Sequence, residues 1–217
     1  MGTITRSFAN NITTSGVLLP ASLVNNSIAN VTAYNASVAT GGMKLISSQT
    51  ASNSASISFT TGIDSTYKEY QFYFIDIHPR IDNVQFQFNM STDSGSNYNV
   101  TKTTTVFRAT HTESDAYTDF EYRTDQDLAQ STAFQLLTNQ TGNGADESLG
   151  GNLQLFNPAS TTYVKHFIAN TNVYLNDDGT QNNYIAGYGN TTSAVNAIQF
   201  KFSSGNFDGT ILLYGIV

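Results

Sequence analysis

Residues 84–90 read Val-Gln-Phe-Gln-Phe-Asn-Met, and the alternation in them decides the fold class. Side chains along an extended chain point to opposite faces with a period of two. Val84, Phe86, Phe88 and Met90 therefore share one face, and Gln85, Gln87 and Asn89 share the other. The pattern predicts a strand with one dry face and one wet face. Just before it, residues 70–77 (YQFYFIDI) put Tyr70, Phe72 and Phe74 on one side and Tyr73, Ile75 and Ile77 on the other. Apolar residues on both sides predict a central strand covered on both faces.

The same period recurs around Ile57 and Phe59, at Val106, at Phe120 and Tyr122, and in stretches that start at Ala133, Asn152, Tyr163, Asn183, Ile198 and Ile211. Between them lie clusters such as residues 141–152 (TGNGADESLGGN) and 176–183 (NDDGTQNN). Gly and Asn tolerate positive φ, so these clusters favour turns. Roughly ten strands joined this way predict an all-β chain, an antiparallel β-sandwich of jelly-roll-like type. The only weak helical period falls on residues 125–133 (DQDLAQSTA), around Leu128.

Residues 1–40 read differently. They are polar, and their apolar pieces, residues 17–20 (VLLP) and 22–24 (SLV), are too short to build a core. The expected organisation is an irregular N-terminal attachment arm over residues 1–40 and a sandwich domain over residues 41–217. Within the arm, Leu18, Leu19, Ile28, Val31 and Tyr34 are the side chains able to enter a partner's grooves, or to accompany a strand added to an exposed edge.

Charged residues make up 12% of the 217, against roughly 25% in an average soluble domain. The surface is therefore polar without being ionic. A net charge of -7 and nine scattered Lys and Arg argue against nucleic acid, whose phosphates need clustered cations. With no cysteine, the chain offers neither disulfides nor thiolate metal sites. No stretch approaches the roughly 20 apolar residues of a membrane span, and the first residues do not resemble a signal peptide. The expectation is a soluble chain that binds neither membrane nor nucleic acid.

Residues 91–98 (STDSGSNY) fit most of the Ser-x-Asp-x-Gly-x-Thr-aromatic pattern known as an Asp box, with Asn97 in the place of Thr. In that device, which opens at Ser91, the Asp93 side chain accepts backbone N–H groups across a hairpin turn, Gly95 supplies positive φ and Tyr98 packs beneath. Turn chemistry accounts for every residue of it, and a hairpin turn is expected.

Three stretches resemble virion structural proteins of tailed phages, marine ones especially. They are residues 45–79 (LISSQTASNSASISFTTGIDSTYKEYQFYFIDIHP), 155–167 (LFNPASTTYVKHF) and 208–217 (DGTILLYGIV). The resemblance lies in phrase and order rather than in a catalytic signature. It implies a β-sandwich displayed on a particle, often oligomeric, attached through a variable N-terminal region to a major capsid or tail protein. Capsid decoration is the leading expectation. A tail or fibre protein that recognises host-surface glycan is the alternative.

The remaining constellations give no chemistry. His78, His111 and His166 are far apart and lack the spacing of a helical metal site. Six carboxylates fall in residues 113–127: Glu113, Asp115, Asp119, Glu121, Asp125 and Asp127. They read either as calcium or sugar ligands or as charges that protect an edge strand from pairing. Tyr117, Tyr122, Tyr184 and Tyr188 suit a carbohydrate-binding face or an oligomer interface equally well. The expectation is thus no catalytic residue, no cofactor and no metal, with a homo-oligomer favoured because aromatic strands with few Lys or Pro leave edges that need cover.

Overall fold

The computed structural model describes residues 42–217, and all of their regular structure is β. The arm residues Leu18, Leu19, Ile28, Val31 and Tyr34 lie outside the described residues. Four antiparallel pairs nest inside one another along the chain. β1 (Met43–Ser54) pairs with β12 (Phe207–Ile216), and β2 (Ile57–Phe59) pairs with β11 (Ala197–Phe202). Inside these, β3 (Glu69–Pro79) pairs with β8 (Leu149–Phe156), and β4 (Phe86–Ser91) with β7 (Gln135–Leu136). β12 also joins β3, and β11 joins β4, giving the facing sheets β1-β12-β3-β8 and β2-β11-β4-β7. This nested pairing is that of a jelly roll.

Two hairpins are inserted into that framework. β5 (Lys102–Thr112) and β6 (Thr118–Tyr122) fall between β4 and β7, and β9 (Lys165–Leu175) and β10 (Gly179–Gly189) fall between β8 and β11. They extend the first sheet to eight strands, in the order β1-β12-β3-β8-β9-β10-β5-β6. The four added strands, β9-β10-β5-β6, are called the wing below. No helix of the described residues is long and apolar enough to cross a membrane.

The core lies between the two sheets. Phe200 sits at its centre, with the rings of Phe74, Phe72, Phe86, Phe88 and Phe59 at 5.2, 5.3, 6.0, 6.3 and 6.4 Å. All six rings are buried. The dry face of residues 84–90 is as expected: Val84, Phe86, Phe88 and Met90 are all buried. The wet face is not uniform, because Gln85 and Gln87 are half-buried whereas Asn89 is fully buried.

β3 is central, flanked by β12 and β8, but its alternation breaks. Asp76 has φ +50°, and β3 carries one extra residue there relative to both neighbours. This is a β-bulge, which reverses the side on which later residues point. Ile77 therefore turns into the core, while Ile75 faces out at 43% exposure. The expected shared face of Tyr73, Ile75 and Ile77, covered like the other, is corrected accordingly. Gly209 makes room for the bulge: it has φ +128°, and a Cβ there would stand 2.6 Å from the Asp76 carbonyl oxygen.

Three other expectations change. Residues 125–133 form no helix, only a turn in which the N–H groups of Gln126 and Asp127 donate to the Arg123 carbonyl. Gly150 and Gly151, read as turn residues, lie inside β8, and residues 179–183 lie inside β10. β1 adds a strand where no alternation was read, since only Ala51 of its residues is buried.

Candidate binding face

The expected turn at Ser91–Tyr98 forms as a hydrogen-bonded unit. Ser91 Oγ donates to Asp93 Oδ1 at 2.6 Å and accepts the Gly95 N–H at 3.0 Å. Asp93 accepts the Asn97 N–H at 2.8 Å and Asn97 Nδ2 at 2.7 Å, so Asn97 does the work expected of Thr. These bonds, first from Ser91 and then from Asn97, hold the Asp93 carboxyl down at about 2. Gly95 has φ +87°, and a Cβ there would meet the Tyr98 hydroxyl at 2.7 Å. The device is not a hairpin between paired strands, because β4 and β5 belong to different sheets. It turns the chain from one layer to the other.

The acidic stretch resolves into separate pairs. Glu121 takes Arg108 through Nη2 at 2.7 Å and also takes Arg123, whose guanidinium makes two bonds to Asp125 at 2.7 and 2.9 Å. Hydrogen bonds from Arg123 hold both carboxyls below their ordinary values. Tyr117 donates to Asp119, Tyr122 to Asp127 and Tyr174 to Glu113, while His111 Nε2 lies 3.0 Å from Asp115. Each of the six acids thus has its own neighbour. No group of three or more His, Asp or Glu is placed to hold a metal among the described residues. Among the described residues β6 is one of the two edges of the long sheet, a position where charges can act to block edge-to-edge pairing.

The outer face of the wing gathers what the sequence scattered. Register on β9 and β10 sets Tyr188 opposite His166, Ala186 opposite Ile168, Tyr184 opposite Asn170, Asn182 opposite Asn172 and Thr180 opposite Tyr174. Across β10, Tyr184 faces Phe107, and Phe107 in turn faces Tyr122 on β6. The Phe107 and Tyr184 rings stack at 4.9 Å, with Phe120 edge-on to Phe107 at 5.7 Å. Tyr122, Tyr184 and Tyr188 of the four sequence candidates therefore share one face. Tyr117 does not join them, since it sits in the β5–β6 turn with its hydroxyl on Asp119, an alternate-face neighbour of Phe120.

At the far end of that face three turns converge. Asp178, at φ +57°, closes the tight β9–β10 turn, and its carbonyl accepts the Glu113 N–H from the β5–β6 turn at 2.9 Å. The segment 142–148 joins through Ser148, whose carbonyl accepts the Tyr174 N–H at 3.0 Å. They frame an open cleft of about 480 Å³ lined by His111, Glu113, Asp115, Asp146, Asn172 and Tyr174. The bond to Glu113, then burial and nearby carboxylates, push the Tyr174 phenol up to about 12. It stays a proton donor. Sequence reading missed Tyr174, Phe107, Ile168 and the amides of β9 and β10. Inward and outward positions of β9 both mix polar with apolar residues, so alternation gave no signal there.

Fold and face together define a jelly-roll sandwich with an added wing whose outer surface carries aromatic and amide side chains. No family model, curated protein or solved structure matches the chain.

Proposed function

We propose that the protein is a non-enzymatic structural component displayed on the surface of a tailed-phage virion. It decorates the capsid, is held by residues 1–40, and assembles as a homo-oligomer. The observation that carries this reading is the nested jelly-roll pairing, an architecture shared by viral capsid and lectin domains. A fold by itself hosts many functions, and a second observation adds to it. The stretches that resemble virion proteins, residues 45–79, 155–167 and 208–217, contain β2, β3, most of β1 and β12, and the β8–β9 connection. They belong chiefly to the jelly-roll half, and the β5–β6 and β9–β10 hairpins fall mostly outside them. On this reading the jelly roll is the shared framework and the wing is what this chain adds.

Immunogold labelling of purified phage particles with antibody to the protein tests the reading. Label over the capsid is expected. Label confined to the tail would move the protein to the tail-associated alternative, and particles without label would overturn the virion reading. A chain that begins at Gly41 should stay folded yet fail to bind particles lacking the native protein. Equal binding by the shortened chain would place attachment on the sandwich instead.

A further inference from the structure

The outer face of the wing has an order along its length that the virion reading does not use. Starting at Tyr188 and His166, whose rings lie 6.0 Å apart, the rows of β10 and β9 pass to Ala186 with Ile168 and then to Tyr184 with Asn170. They continue through Asn182 with Asn172 and end at Thr180 with Tyr174, beside the cleft. Eight steps of about 3.4 Å, from position 188 to position 180, make this track roughly 27 Å long. Small Ala186 leaves a hollow of about 190 Å³ bordered by Ile168, Asn170, Tyr184 and Phe107.

We propose that this track, from Tyr188 to the Tyr174 cleft, binds an extended, uncharged polysaccharide strand. A sugar chain alternates C–H faces with hydroxyl groups, and the track alternates in kind. Its rings offer flat apolar area, and Tyr tips add a hydroxyl. Its amides can both donate to and accept from hydroxyls. Asn172 is exposed and uses Nδ2 internally, on Thr180 Oγ1 at 2.8 Å, so that Oδ1 can serve as an acceptor. At the cleft, Glu113, Asp115 and Asp146 supply carboxylate acceptors for the last sugar's hydroxyls.

Charge selects the class of ligand. The outward positions of β9, β10 and β5 carry no Lys or Arg, because Lys102, Arg108 and Lys165 all point inward and are buried. An anionic polymer would meet carboxylates at one end of the track and no Lys or Arg along it, so both acidic polysaccharide and nucleic acid are disfavoured. A protein partner would have to bury the amides of Asn170, Asn172 and Asn182 and pair each one, at a desolvation cost for any left unpaired. A hydrated, hydroxyl-bearing chain meets that demand without a matched surface. The inference stands apart from particle location, which is measured separately.

Affinity electrophoresis of the full chain tests it, using gels cast with soluble uncharged glucan, mannan, galactan or xylan, and with alginate as the anionic polymer. Retardation by at least one uncharged polymer and none by alginate is expected. Tyr184→Ala and Asn172→Ala should each weaken binding about tenfold or more while keeping the strand spectrum by circular dichroism. Tyr163→Ala, which alters an exposed ring outside the track, should bind as the native chain does. The proposal fails if no uncharged polymer retards the protein, if alginate alone does, or if both track variants bind normally. It also fails if Tyr184→Ala changes only the oligomeric state by light scattering, since the face would then be a contact between copies.

Discussion

Along one continuous sheet, the buried face changes character between the jelly-roll half and the wing. On β12, β3 and β8 the inward residues include Ile211, Leu213, Phe72, Phe74, Leu153 and Leu155. On β10 and β5 they include Gln181, Asn183, Lys102, Thr104, Arg108 and Thr110, all buried too. The difference follows from what lies opposite. The jelly-roll half faces β2-β11-β4-β7, whose backbone groups are spent on their own ladder and whose inward side chains are mainly Phe. The second sheet ends at β7, and the wing's inner face also bonds to the irregular segments on either side of β7, residues 123–134 and 137–141.

Irregular backbone has unpaired N–H and C=O groups that must be matched when buried. The wing's polar side chains do this. Thr104 Oγ1 accepts the Leu128 N–H at 2.8 Å and donates to Gln135 Oε1 at 2.6 Å, while Gln135 Nε2 donates to the Gln126 carbonyl at 3.1 Å. Thr171 Oγ1 donates to the Leu137 carbonyl at 2.5 Å. The matching is incomplete under β5 and β10, where Arg108 Nη1, Gln181 Oε1 and both amide atoms of Asn183 have no hydrogen-bond partner among the described residues. Stability should therefore be concentrated in the jelly-roll half, and four measurements can break or sharpen that contrast.

The largest effect is expected at Phe200, which five aromatic rings surround. Phe200→Ala should cost about 3–5 kcal/mol in urea unfolding, the range for an aromatic ring lost from a packed core. A loss under about 1 kcal/mol would mean that the two halves do not differ as described.

Next comes a pH effect in the wing. Burial pulls the Lys102 ammonium from 10.5 down to about 7, opposed by its hydrogen bonds to Asn89 Oδ1 at 2.5 Å and the Val100 carbonyl at 2.8 Å. Above pH 7 the unfolded chain keeps this proton and the folded chain releases it, so stability should rise with pH up to about 10.5. The ceiling is about 1.4 kcal/mol per pH unit for one proton. Burial shifts Lys165 in the same direction. Unfolding free energies measured from pH 7 to 9.5 should climb, and Lys102→Met should flatten much of the slope. An unchanged slope in that variant would assign the rise to other groups.

A smaller and opposite test uses Asn183. Replacing an unpartnered buried amide with a side chain of similar volume removes a desolvation penalty, so Asn183→Leu should stabilise the protein by about 1 kcal/mol. Destabilisation of that size instead would show that ordered water completes the hydrogen bonds there. The smallest effect belongs to the exposed turn. Asp93→Asn should lower the thermal midpoint slightly at pH 7. The carboxyl's depressed value gives stability that is present above its ordinary 3.8 and lost as pH falls through about 2. The gap between the two proteins should therefore shrink as the pH drops from 5 toward 2, and a constant gap would remove the charge from the explanation.

How much of this was legible depended on how local the cause was. Phe86, Phe88, Phe200 and Phe202 announced their strands, and the Ser91–Tyr98 turn was readable because its bonds join residues two to four apart. β1 was not, because an edge strand with one buried residue shows no alternation. The bulge at Asp76 was not either, since nothing in YQFYFIDI marks where its parity reverses. On the binding face, Tyr122, Tyr184 and Tyr188 were named, but their shared side and the exclusion of Tyr117 came from register.

The sequence by itself determined that the chain is β, where most strands and several turns fall, and which side of a regular strand such as residues 84–90 is apolar, because a period of two is a property of a few consecutive residues. The tertiary structure alone decided that Asn89, Lys102 and Lys165 are buried, that the wing is polar inside, and that Tyr174 meets Glu113 from 61 positions away. Whether an alternating face is covered by a sheet, by a loop or by water depends on partners far along the chain, and no local period encodes them.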